Sequence, residues 1–156
     1  MAKAIRDIDR GYGRILKALV EFKGQEIAVG LQAGDKTDDG KFDIASVGVV
    51  QEFGSDNIPE RPFLRNSFDE KNKAWNSVAL SQVGQVIDGR KAAVTAMNTI
   101  GEVMQGDIQK KIVDGPFTPN APATVKQKGS ARPLIDSGRM RQSVRYAIRK
   151  RGSGKK

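Results

Sequence analysis

QEIAVGLQ, residues 25–32, sets Ile27, Val29 and Leu31 on one side of an extended chain and Ala28, Gly30 and Gln32 on the other. That period of two belongs to a half-buried β-strand. The same alternation returns near the other end of the chain, where Val144, Tyr146 and Ile148 interleave with Arg145, Ala147 and Arg149. Two amphipathic strands of this kind match as partners. The expectation is an α+β fold, a small, mainly antiparallel sheet packed against several α-helices, with the helices containing Trp75 and Met104 lying on the sheet.

The segments around and between the strands read as helices and turns. Ile5, Ile8, Tyr12, Ile15, Leu16 and Leu19 recur at helical spacing, so the first 22 residues form an amphipathic helix loosened by Gly11 and Gly13 and closed by Gly24. The GYG within it is not a phosphate loop, because no strand precedes it and Leu16 occupies the place of the third glycine. Ile44, Val47, Val50 or Gln51, and Phe53 or Gly54 fit a short helix that Gly54 ends. Ile58-Pro59 and Arg61-Pro62 then impose extended backbone. A longer helix follows to about Ile87, begun by a Ser67–Glu70 capping box or by Pro62 in its first turn. Leu64, Phe68, Trp75, Val78, Val83, Val86 and Ile87 are its expected buried contacts, with Trp75 a core residue rather than a ligand platform.

After the break at Asp88-Gly89, the stripe Val94, Met97, Ile100, Met104, Ile108 and Ile112 marks another helix, ending at Gly115-Pro116. Its methionines are gap-fillers. PFTPNAPATVKQKGSARP, residues 116–133, carries four prolines and reads as an extended surface loop suited to contacts with a neighbouring subunit. Asp136 or Ser137 is expected to cap a short helical turn through Arg141.

Composition restricts the function. At 156 residues the chain is most simply one domain, with residues 1–149 as its body and 150–156 as a flexible basic tail. It has neither cysteine nor histidine, which excludes disulfides and thiolate metal sites and removes the commonest general base. No run reaches the roughly 18 apolar residues of a membrane span, and MAKAIRDIDR is too charged for a signal peptide, so no membrane partner is expected. Asp35, Asp38, Asp39 and Asp43 lack the spacing of a calcium loop and read as a solvated turn. With acids mostly in loops and caps, no catalytic residue, cofactor or metal site is expected, and an enzyme is disfavoured.

The net charge of +9 is concentrated at one end. Arg139, Arg141, Arg145, Arg149, Lys150, Arg151, Lys155 and Lys156 follow one another with no acid among them. Such an end suits a polyanion or an acidic protein surface, and Arg149, Lys150, Arg151, Lys155 and Lys156 are the candidate contacts. A small basic DNA-binding protein is the alternative, although no helix-turn-helix, stacking-aromatic or zinc pattern supports it.

Two further stretches, VGVVQEFGSDNIPERPFLRNSFDE (47–70) and PNAPATVKQKGSARPLIDSGRMRQSVRYAIR (119–149), carry a family resemblance. Glu-Phe-Gly followed by PERPFLR, then a proline-rich loop, Lys-Gly and LIDSGR leading into a strand, resembles the tail-completion or neck proteins of tailed bacteriophages. That group includes the lambda-type minor tail protein Z and the Mu-type virion morphogenesis proteins. The chain departs from their pattern at Glu60 and Asn66. The resemblance implies a structural virion protein, assembled in the host cytoplasm, that completes the tail at its head-proximal end and enables head–tail joining. It also implies a ring of six subunits, with tail-terminator, head-closure or tail-tube proteins as partners and genomic DNA in the lumen. Arg61, Arg65, Arg139 and Arg141 fall on the family's motif arginines and become candidate interface residues.

Overall fold

β1 (Gln25–Leu31) and β2 (Val144–Lys150) pair antiparallel, with Ile27 opposite Ile148 and Val29 opposite Tyr146. They form the two-stranded sheet that the alternating residues lead one to expect. The computed structural model describes residues 11–135 and 137–152. Within them the remaining elements are α1 (Tyr12–Phe22), α2 (Ile44–Phe53), α3 (Phe63–Ile87), α4 (Ala93–Asp114), α5 (Pro122–Lys128) and α6 (Arg139–Ser143). The fold is α+β.

α4 is the central element, with the sheet on one side of it and α3 along another. The sheet comes close because Gly101 has no side chain. A Cβ there would stand 2.4 Å from the Tyr146 ring, well inside van der Waals contact. The main core gathers Ile44, Phe63, Trp75, Ile108, Ile112, Leu134, Met140 and Val144, and partly buried Val29, Leu31 and Met104 join it from β1 and α4. A smaller cluster at the other end of the α3–α4 hairpin holds Ala18 against Val86, Ala93 and Ala96. Trp75 is buried as expected, and its indole N–H donates to Asp107 Oδ2 at 2.7 Å, so its one polar group is satisfied.

Several expectations are corrected. Gly11 has φ 101° and is the N-cap of α1, so no continuous helix runs through it; Ile5 and Ile8 lie outside the described residues. Ser67 does not open α3. It lies one turn inside, where its hydroxyl donates to the Phe63 carbonyl at 2.6 Å, and Pro62 stands at the N-cap. Phe68 and Val94 belong to apolar stripes but are 59% and 59% exposed. Residues 116–133 are not wholly extended, because Pro122 starts α5 at a position where a missing N–H costs nothing. The N-cap of α6 is Gly138, with no side-chain cap, so Ser137 does not play that part. The proposed Asp136 cap lies outside the described residues.

Candidate functional site

The first motif is built at the end of α2. Gly54 stops the helix with φ 73°, a conformation L side chains rarely adopt, and a Cβ there would lie 2.9 Å from both the Ile58 carbonyl and the Glu60 amide. The chain then makes a tight reversal, with the amides and carbonyls of Ser55 and Ile58 exchanging two hydrogen bonds, before Pro59 and Pro62 lead it into α3. This corner brings the start of α3 back over the last turn of α2.

Glu52 occupies the join. It is 3% exposed, and its carboxylate accepts from the amides of Leu64 and Arg65, each at 2.9 Å. A buried acid from the preceding helix thus caps α3, where the helix dipole and unsatisfied N–H groups favour negative charge. Arg65 closes the arrangement. Its Nε donates to Glu52 Oε1 at 3.1 Å, its other arm reaches Glu60 Oε2 at 3.2 Å, and its guanidinium lies 4.9 Å over the Phe53 ring. The hydrogen bonds to Glu52 and then to Glu60 raise the Arg65 pKa above its ordinary value.

Arg61 goes the other way. Expected among the interface arginines, it is 4% exposed and spends its donors inside its own chain. Nε donates to the Thr118 carbonyl at 2.9 Å, one terminal nitrogen to Gln51 Oε1 at 2.7 Å, and the other to the Pro119 carbonyl and Asn120 Oδ1, both at 3.2 Å. All four acceptors are neutral, and burial lowers the Arg61 pKa. Asn120 in turn donates to the Arg132 carbonyl at 3.3 Å. Arg61 therefore ties α2 to the segment before α5, which Asn120 in turn joins to the segment after it. Nothing local in the sequence announces this tie, since Thr118, Pro119 and Asn120 are 57 to 59 residues away.

The second motif meets the first on α2, against which α6 packs. Between α2, the 37–42 turn and the 133–140 segment lies a cleft of about 450 Å³, walled by Phe42, Ile44, Val47, Leu134 and Met140. Arg139 borders it, ion-paired with Asp38 and donating to the Lys36 carbonyl at 3.2 Å. A hydrogen bond from Ser137, followed by that of Arg139, lowers the Asp38 pKa. The other aspartates of the turn are engaged too. Asp43 caps α2 through the Ala45 amide, Asp39 accepts from Thr37 and the Lys41 amide, and Asp35 pairs with Arg145 at 2.8 Å.

The basic C-terminal run is partly neutralised. Arg149 pairs with Glu26 at 2.7 Å across the sheet, while Arg141 is exposed and makes no ion pair among the described residues. Lys150 ends β2 opposite Gln25, and the Arg151 amide donates to the Gly24 carbonyl at 2.8 Å, so the sheet holds the chain up to Arg151. Lys155 and Lys156 lie outside the described residues. Among the described residues no group of three or more acids is placed to hold a metal ion. Glu52, Arg61, Arg65 and Arg139 of the two motifs are occupied in capping, cornering and docking contacts within the chain. No family model, curated protein or solved structure matches the chain.

Proposed function

We propose that this chain is a structural protein of a tailed-phage virion, acting at the head–tail junction to complete the tail and permit head joining, as a ring of six copies. The observation that carries the reading is the use made of the two motifs. They lie far apart in sequence and meet on α2, where Glu52, Arg61, Arg65 and Arg139 build the scaffold instead of leaving reactive groups free. A protein whose most distinctive residues are spent on shape is suited to assembly rather than chemistry. A near-neutral body can pack side by side with copies of itself, and the basic end can face DNA or an acidic neighbouring ring.

The test is a phage genome with this gene deleted. Filled heads and unjoined tails should accumulate, and supplying the protein in trans should restore joined particles. Normal virions made without it would overturn the reading.

A further inference from the structure

α1 is amphipathic in a way the other described residues do not use. Ala18 and Phe22 face the small core cluster, while Ile15, Leu16, Leu19 and Val20 form an exposed strip, with Val20 at 65% exposure. Four aliphatic side chains on one exposed helix face exceed the scattered apolar residues of an ordinary surface. A second apolar patch lies elsewhere. Val49 and Phe53 share the outer face of α2 one turn apart, and Phe68 stands one turn along α3 from Arg65, which covers Phe53. Phe53 and Phe68 are 64% and 59% exposed.

The patches sit toward opposite ends of α3. α1 packs beside Val86 and Ile87, whereas the second patch surrounds Phe68, about 27 Å away along the helix at its standard rise. They cannot cover one another within a single chain. Their borders differ in net sign, since Lys17 and Lys23 outnumber Glu21 around the strip and Asp56 and Asp69 outnumber Lys71 around the aromatic patch. Lys17, one turn before Val20, and Lys23, just after the helix, flank the aliphatic strip; both are exposed and in no ion pair among the described residues. Asp56 and Asp69 flank the aromatic patch and are likewise exposed and unpaired in that sense.

We propose that the α1 strip of one copy docks on the Val49–Phe53–Phe68 patch of the next, head to tail. Aliphatic side chains meet aromatic faces at the centre and lysines meet aspartates at the rim, the arrangement that gives an interface both attraction and register. Each copy then carries one socket and one plug, a heterologous contact that closes into a ring or continues as a filament. The proposal deepens the ring reading by naming its contact surface.

A mixing experiment tests it with the full chain. Leu19→Glu spoils the plug and Val49→Glu spoils the socket, both at exposed helical positions, and circular dichroism and thermal melting confirm that each variant folds. Should either variant unfold, Leu16→Ser and Phe53→Ser take their places. By sedimentation the wild-type chain should form oligomers and each variant alone should be monomeric. Their equimolar mixture should stop at a dimer, since only one plug and one socket remain intact. A wild-type chain that is monomeric up to its solubility limit would overturn the proposal, as would variants that assemble like wild type or a Val49→Glu variant that dimerises by itself. Variants that assemble like wild type leave a ring through another face, so the function reading survives; loss of assembly in variants, with normal virions from the deleted phage, sinks the function reading alone.

Discussion

Glu52 and Gly54 show how much of the structure rests on single residues. Glu52→Ala would leave the first amides of α3 without their acceptor and Arg65 without its buried partner, at a cost of about 1.5–3 kcal/mol in denaturant unfolding. Glu52→Gln keeps an acceptor and should cost less; equal stability of the alanine variant and wild type would show that the cap is dispensable. Gly54→Ala meets two penalties at once, a left-handed φ costing about 1–2 kcal/mol and a Cβ driven against the backbone at Ile58 and Glu60. It should therefore destabilise more than an alanine at exposed Gly106, where a Cβ meets nothing. Of these two residues only the glycine was legible in advance, as a helix stop. The cap was not, because an acid 12 residues before the amide it serves leaves no local pattern.

At the scale of elements, β1 and β2 were legible because alternation is written in the segment itself, and their pairing followed from two matching apolar faces. α5 is hidden by Pro122 and by the prolines that surround it. Composition spoke for a loop, and the segment gains its place from the Arg61 contacts to Thr118, Pro119 and Asn120. Arg61→Lys keeps the charge but replaces a planar fork by a point donor that cannot reach four acceptors. Amide exchange over residues 116–132 should accelerate in that variant while β1 and β2 stay protected; unchanged exchange would show that α5 is held by other means. The helical stripes of α3 and α4 have the phase their spacing implies but are narrower than it suggests. Spacing marks the centre of a buried face and not its edges, which is why Phe68 and Val94 emerge exposed.

The turn before α2 adds a dependence on acid. Asp38, Asp39 and Asp43 are held below the ordinary 3.8, first by hydrogen bonds from Ser137, Thr37 and the Gly34 amide respectively. The folded chain binds these protons less readily than the unfolded one. Their stabilisation is thus present above pH 3.8 and is lost as pH falls through the lower folded values. Melting temperature should drop in that window, less steeply in Asp43→Asn than in wild type; equal slopes would contradict the assignment for Asp43.

For the whole molecule, the concentration of positive charge at one end was plain from the sequence, but its partial neutralisation was not. Arg139, Arg145 and Arg149 each meet an acid brought from the first third of the chain by the fold. Truncation after Arg151 keeps the whole of β2 and the hydrogen bond from the Arg151 amide to the Gly24 carbonyl, so it should leave the melting temperature unchanged, and it should weaken head–tail joining increasingly with salt. Infectivity unaltered at every salt concentration would reduce the remaining residues to a solvated end. The central claim is one of place and number, and imaging the neck of the intact virion by electron cryomicroscopy tests it most directly. The prediction is a ring of six copies of this fold at the head-proximal end of the tail; a purified virion without the protein, or with it at the opposite end of the tail, would contradict it.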